Sequence, residues 1–452
     1  MTPVRRVLVA NRGEIALRII RACRELGLET VAVYSEADRG ALHTKAADEA
    51  VCIGPAPSKL SYLNPQNILA AALSRGADAV HPGCGYLSED ALFAEMCRAH
   101  NLLFIGPPAR QLELLGDKVR AKEVMRTAGV PVIPGRGAVS SHAELVEAAE
   151  ELGYPVLIKA TSGGGGIGLR LARDQGELLR GFDEVRAQVR AAFQADGVYL
   201  EKYLRPVRHI EVQVLGDSFG SLVHCGEREC SLQRRHQKLL EECPSPAVSG
   251  PLRASLTAAA LKAAEAVGFC GTGTVEFLLD EAGDFYFLEV NPRLQVEHPV
   301  TELVYGLDLV REQIRLAAGE PLGYQQGDLL PAGHAIECRI NAEDVRTWRP
   351  APGAISRLVV PGGFGVRWDS HVFQGYSVPP FYDSLLGKLI VWGATREEAI
   401  ARMARALDEL ILEGLPTTIP FHRATMRHAG FRAGFYSTDS ADQWLRETEI
   451  VR

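Results

Sequence analysis

Through the first 115 residues, short apolar runs alternate with amphipathic stretches, and that alternation narrows the fold more than any other feature of the chain. Val4–Ala10 reads as a strand, Glu14–Leu26 as a helix stopped by Gly27, and Thr30–Ser35 as a second strand. A helix near Ile68–Ser74, a strand Ala77–His81, a helix around Ala91–Ala99 and a strand Leu102–Ile105 follow. Strands joined through helices run parallel, with helices on both faces, so the pattern predicts a doubly wound, Rossmann-like unit. The first turn, Asn11-Arg12-Gly13-Glu14, has one glycine where a dinucleotide fingerprint needs three, so no dinucleotide is expected there.

At 452 residues the chain has room for two or three domains. A helix Asp117–Ala128 leads through Gly129-Val130-Pro131 into a Gly/Pro/Ser-rich connection that reads as a hinge. Residues 150–330 mix hairpins and helices, an α+β pattern. From Gly333 strands dominate (His334–Ile340, Ile355–Val359, Val366–Val372, Leu389–Trp392), and a helix Arg396–Leu410 follows. The expected units are 1–115, 116–333 and 334–447. A net charge of −7 gives no reason to expect nucleic acid or an anionic membrane, so an anionic substrate needs a local basic site. The apolar runs are too short to span a bilayer, and the N-terminus lacks the hydrophobic region of a signal peptide. Nine cysteines without a CxxC pair argue against zinc and against a disulfide scaffold, and a cytoplasmic setting is expected.

Thr272–Pro299 reads as two strands around a tight turn. If Ala282-Gly283 is a two-residue hairpin loop, Glu276 lies opposite Glu289. Facing residues have β-carbons roughly 5 Å apart, so two carboxylates there repel unless a cation lies between them. Asn291 shares the face of Glu289, and these hard oxygen donors suit Mg²⁺. The competing reading is a surface hairpin with solvated glutamates.

Other segments admit two readings each. Lys159 ends a strand before the run Gly163–Gly166, which is either a flexible surface hairpin or a phosphate-wrapping flap. His209, Glu211 and Gln213 share one strand face, and Glu201-Lys202-Tyr203-Leu204 ends a segment where backbone groups can meet a purine edge; a solvated strand is the alternative. Arg228, Arg234, Arg235, His236 and Lys238 form either an anion site or a salt-bridged surface. Glu337 and Arg339 share a face and read as an ordinary ion pair. His81–Asp90, HPGCGYLSED, is a glycine-rich turn after a strand, where α/β sheets tend to bind ligands.

Taken in order, VLVANRGEIALRIIRACRELG, HPGCGYLSED, LLGDKVRAK, the glycine run, LEKYL, RHIEVQV, ECSLQRRHQK, NPRLQVEHPVTE, ECRINAED and YDSLLGKLI resemble biotin carboxylase, of the ATP-grasp superfamily, over nearly the whole chain. The resemblance implies a Rossmann-like N-terminal domain, an ATP-grasp domain with a mobile lid at about residues 131–203, and a β-rich C-terminal domain. It implies ATP contacts from Lys118, Lys159, Gly165, Gly166, Glu201, Lys202, Tyr203, Leu204, His209, Gln233 and His236. Mg²⁺ or Mn²⁺ would be held by Glu276, Glu289 and Asn291, and bicarbonate by Lys238, Arg293, Gln295 and Val296. Glu297 would be the base that deprotonates bicarbonate, and Arg339 the group that steadies the biotin enolate. The implied reaction is ATP-dependent carboxylation of biotin through carboxyphosphate, as in acetyl-CoA or another acyl-CoA carboxylase. No Met-Lys-Met biotinylation site occurs, so a separate biotin carboxyl carrier protein, a carboxyltransferase and a homodimer are expected.

The chain departs from the pattern at Cys84 in the loop that shapes the biotin pocket, where relatives carry Tyr. It departs again at Ser162 and Ile167 in the glycine run, where relatives carry Gly and a cation. Another ATP-grasp ligase, or a non-catalytic nucleotide-binding paralogue, is the competing reading.

Overall fold

The computed structural model describes residues 4–161, 168–193, 197–204 and 206–447. Its N-terminal unit has five strands: β1 (Arg6–Val9), β2 (Glu29–Tyr34), β3 (Glu49–Cys52), β4 (Ala79–His81) and β5 (Leu103–Phe104). They pair in the order β3-β2-β1-β4-β5, all parallel. This is the doubly wound arrangement that the alternation predicts. β3 (EAVC) is not among the expected strands, although its apolar run continues to Ile53 and is closed by Gly54-Pro55. The helix Gly13–Glu25 is buried along most of its length because it fills the space between this sheet and the far end of a second one.

A smaller unit follows the helix Lys118–Thr127, which Asp117 caps by accepting the Val119 and Arg120 N–H groups. Strands β6 (Gly135–Val139), β7 (Val156–Ala160), β8 (Leu169–Ala172) and β9 (Val198–Lys202) pair in the order β6-β9-β7-β8. The helices His142–Leu152 and Gln175–Phe193 pack with them around a separate apolar core that includes Leu145, Ile158, Phe182 and Leu200.

The largest element is an eight-stranded sheet. β10 (Val207–Gly216), β11 (Leu222–Arg234), β12 (Gln237–Cys243), β13 (Gly271–Asp280) and β14 (Phe285–Asn291) form one part of it. β15 (His334–Asn341) pairs directly with β12, Leu240 against Cys338, and extends the same sheet. Three two-stranded ribbons lie beyond: β16 (Glu343–Asp344) with β17 (Arg349–Pro350), β18 (Gly353–Ala354) with β21 (Ser377–Val378), and β19 (Arg357–Val359) with β23 (Ile411–Glu413). β20 (Val366–Ser370) and β22 (Leu385–Gly393) complete the sheet, whose order is β14-β13-β10-β11-β12-β15-β22-β20. Residues on either side of Gly333 therefore share one hydrogen-bonded surface, and the helix Arg396–Glu409 packs on its C-terminal part.

The hairpin between β13 and β14 differs from the expected one. Asp280 and Asp284 close a three-residue loop, with Gly283 at φ +89, rather than a two-residue loop. Near the loop Phe277 pairs with Phe287, one position out of the expected register. A bulge at Leu288 absorbs the extra residue, and Glu276 stands opposite Glu289 after all.

Candidate active site

Cross-strand register lines up a row of charged residues. Glu211 on β10 lies opposite Arg228 on β11 and opposite Glu276 on β13, which itself faces Glu289 on β14. Such a row of acids is stable only if cations are interleaved. Arg228 is one, with no exposed surface. Its Nε donates to Glu211 at 2.5 Å, and its other donors reach Gln213 at 2.8 Å, Thr301 at 3.0 Å and Thr274 at 2.9 Å.

Lys238 is the second cation. Its Nζ lies 2.6 Å from Glu211, 3.0 Å from Glu276 and 2.6 Å from Glu297. Burial alone would lower its pKa, but the three carboxylates hold it well above the ordinary lysine value. Glu297 immediately precedes the helix His298–Tyr305, and its second oxygen lies 2.9 Å from Arg339. Burial would raise its pKa, yet Lys238, Arg339 and Arg228 hold it well below the usual carboxylate range, so it is ionised. Arg339 Nε also donates to Glu241 at 2.6 Å. The expected ion pair between Arg339 and Glu337 does not form, because the guanidinium turns to Glu241 and Glu297 instead.

The 291–297 segment completes this centre. Arg293 donates to Asn291 Oδ1 at 2.9 Å, to Gln295 Oε1 at 2.8 Å and to Glu89 at 2.5 Å. Asn291 and Gln295 donate in turn to Glu276 Oε1, at 2.9 and 3.1 Å. Val296 offers its carbonyl to Lys388 Nζ at 2.7 Å. Glu276, Glu289 and Asn291 are hard oxygen donors at one end of a hairpin, with Lys118 3.2 Å from Glu289, and this set fits a divalent cation that also takes phosphate oxygens. Two other groupings have ligand spacing, His209/Glu211/Glu276 and Glu211/Cys230/Glu297, and the Lys238 ammonium sits against both, as it does against Glu276 of the hairpin set.

The expected nucleotide residues approach from the small four-stranded unit and from β10–β12. Lys159 lies 2.9 Å from Glu201, to which Lys122 also pairs. Lys202 Nζ donates to the Gly153 carbonyl at 2.8 Å, and the Lys202 and Tyr203 N–H groups bond the Pro134 and Pro155 carbonyls where the strand ends. His209 Nε2 is 2.8 Å from Glu276, and its other ring nitrogen faces Gln233 at 3.4 Å. Gly165, Gly166, Ser162 and Ile167 lie outside the described residues.

The basic cluster of β11 and β12 is divided rather than shared. Arg228 and Lys238 face the interior, and Arg234 lies 3.2 Å from Asp442. Arg235 and His236 form the exposed two-residue turn, at φ +50 and +63. Left-handed backbone at non-glycine residues costs about 1 kcal/mol or more each.

Cys84 sits in the loop after β4, beside the centre. Asn11 holds that loop by donating to the Pro82 and Cys84 carbonyls at 2.7 and 2.9 Å. A Cβ at Gly83 (φ +69) would come within 2.8 Å of Asn11, so the turn needs glycine there. Burial pushes the Cys84 thiol up to about 12, leaving it neutral.

Sequence reading missed the parts played by Glu241, Lys388 and Glu14. Lys388 had a signal, being a lone charge inside the apolar run LLGKLIVW; it is fully buried and lies 3.3 Å from Glu14.

Residues 117–325 match the family model described as carbamoyl-phosphate synthase L chain, ATP binding domain, which defines an ATP-grasp protein. Residues 3–112 match the biotin carboxylase N-terminal domain and residues 337–443 the biotin carboxylase C-terminal domain. The chain belongs to the biotin carboxylase family. It is 56% identical over 435 residues to the biotin carboxylase of Nostoc sp., covering 96% of this chain and 97% of that one. The biotin carboxylase–β,γ-ATP complex from Campylobacter jejuni superposes with a TM-score of 0.96 at 48% identity, covering 98% and 99% of the two chains. The biotin carboxylase domain dimer of Hydrogenobacter thermophilus 2-oxoglutarate carboxylase, in complex with MgADP, ADP and bicarbonate, gives 0.95 at 46% identity over 98% of each chain.

Proposed function

We propose that this protein carboxylates biotin on a separate biotin carboxyl carrier protein, using ATP and bicarbonate through carboxyphosphate. The observation that carries the reading is one buried, ionised carboxylate, Glu297, held between two cations, Lys238 and Arg339. Bicarbonate attacks phosphorus well only after losing its proton, and a positioned carboxylate can take it. Held by two cations, Glu297 is a weak base. Bicarbonate is itself an anion and competes for Lys238, while Arg293, Gln295 and the Val296 backbone orient it. Each contact that it takes from Glu297 raises the basicity of that carboxylate.

Lys118 and Lys159 are assigned to the ATP phosphates. Glu201 to Leu204, with His209, Gln233 and His236, are assigned to the rest of the nucleotide, and Gly165 and Gly166 to a flap over it. Glu276, Glu289 and Asn291 would hold Mg²⁺ or Mn²⁺, which when bound offsets phosphate charge. The 131–203 segment acts as a lid that excludes water, since water would hydrolyse carboxyphosphate. Arg339, drawn from Glu297, then meets the biotin enolate next to Cys84.

The carboxylated carrier serves a carboxyltransferase in an acyl-CoA or 2-oxo-acid carboxylase, and the working unit is a homodimer. The setting is a reducing cytoplasm, in keeping with nine free cysteines. No helix among the described residues is long and apolar enough to cross a membrane. The test is to supply labelled bicarbonate, ATP and Mg²⁺ with carrier protein or free biotin. Label on biotin and bicarbonate-stimulated ATP hydrolysis are expected. If neither appears, the reading is wrong.

A further inference from the structure

We infer that Glu241 and Glu337 share one proton, and that this pair sets how Arg339 is divided between Glu241 and Glu297. The inference deepens the proposed function and rests on it for the role of Arg339.

Glu241 on β12 lies directly opposite Glu337 on β15, and both are fully buried. Residues so placed have β-carbons about 5 Å apart. Among the described residues, Glu241 Oε2 and both oxygens of Glu337 make no hydrogen bond. The nearby cations are committed elsewhere. Arg339 serves Glu241 and Glu297, while Lys388 serves the Val296 carbonyl and Glu14. Two ionised carboxylates facing each other inside a protein, one of them without a partner, are strongly disfavoured. A proton between them removes one charge and pairs two bare oxygens, as in other carboxyl dyads. Burial pushes Glu241 up to about 7 and Glu337 well above the ordinary value; Arg339 and Lys388 oppose this from nearby, while Glu297 raises both and Glu241 raises Glu337.

No neighbouring group takes over this part. The helix His298–Tyr305 presents His298, kept neutral by burial and by Lys388, and Glu302, committed to Arg18 and Arg367. β20 presents Asp369, paired with Arg367, and β11 presents the neutral thiol of Cys230. With the proton in place, Arg339 keeps its bond to Glu297. Without it, two carboxylates pull the guanidinium toward the sheet, away from the position where biotin is proposed to meet it. Glu337 is thus a positioning residue.

Glu337→Gln replaces the protonated acid with a neutral group of the same shape. A carboxyl raised in the folded state stabilises the protein at low pH and loses that contribution as pH rises through its folded value. Thermal midpoints of Glu337→Gln and the parent should therefore agree at about pH 6, with the variant higher by about 2 °C or more at about pH 9. Biotin-dependent kcat should stay within about twofold at neutral pH, with KM for ATP unchanged and the alkaline limb moved up by about one pH unit or more. Glu241→Gln, the second variant should the first fold poorly, should show the same flattened thermal profile. Unlike Glu337→Gln, it should lose about tenfold or more in kcat, because it also removes a partner of Arg339. A midpoint difference that does not change with pH would overturn the shared proton. A large loss of activity in Glu337→Gln would mean that an ionised carboxylate is needed there. If the parent carboxylates no biotin, the functional reading fails, while the thermal comparison still decides the proton pair.

Discussion

Lys238 and Glu297 meet Nζ to Oε1 at 2.6 Å, and the other oxygen of that carboxylate lies 2.9 Å from Arg339. On the proposed reading, an incoming bicarbonate competes for these same cations, so its binding is an exchange of partners in which the two cations have separable parts.

Glu297→Ala should abolish biotin carboxylation, a loss of about 10²-fold or more in kcat, since a positioned base contributes at least that. Arg339→Ala should reduce biotin-coupled turnover far more than bicarbonate-dependent ATP hydrolysis. Parallel assays of ADP release and of label on biotin separate the two. Equal losses in both would deny Arg339 its link to biotin.

Glu289→Gln should raise the Mg²⁺ concentration needed for half-maximal turnover by about tenfold or more and lower kcat at saturation. A Mg²⁺ titration of variant and parent decides this. An unchanged titration would remove Glu289 from the metal site.

Arg228→Met should destabilise the protein by about 3–5 kcal/mol, because it leaves the Glu211, Gln213, Thr274 and Thr301 acceptors without their buried donor. Equilibrium unfolding in urea measures it. A change within the error of the measurement would mean that Lys238 and water suffice for Glu211.

Glu242 sets part of the acid limit. Burial would raise its pKa, but hydrogen bonds from His334 and Arg396 bring it down to about 2. A depressed carboxyl adds stability that is complete above its unfolded value and is lost as pH falls through the folded one. The parent should therefore weaken between about pH 4.5 and 2, and Glu242→Gln should flatten that limb. The variant should also start lower at neutral pH, by about 3 kcal/mol. Denaturant midpoints across this range test both statements.

The alternating first 115 residues were readable because each strand is a short apolar run between turn signals. β3 is the exception: it is only four residues long and half-exposed, and it is absent from the expected set although Gly54-Pro55 follows its apolar run closely. The pairing of Glu276 with Glu289 was foreseen through a turn one residue too short, and the bulge at Leu288 corrected the register. Periodicity cannot see bulges, since they add a residue without changing composition. The buried charges were the least legible. Arg228 looked like one member of a basic surface cluster, yet it has no exposed surface. Glu241 acquires its place only because β12 pairs with β15, nearly a hundred residues later. No local pattern encodes that contact.

The uninterrupted sheet that begins at Val207 and ends with Gly393 has a consequence for how the protein is made. Synthesis proceeds from the N-terminus, and segments that pair across long stretches of sequence join late. A growing chain that stops at Gly333 has Lys118, Lys159 and the β13–β14 hairpin, but it lacks Arg339 and Lys388. Its Glu297 has one cation instead of two, and the Val296 carbonyl has lost its anchor. The reaction centre thus becomes competent only when the last strands dock. An unfinished ribosome-bound chain has no assembled centre with which to spend ATP, and recovery of turnover during refolding should trail the recovery of secondary structure.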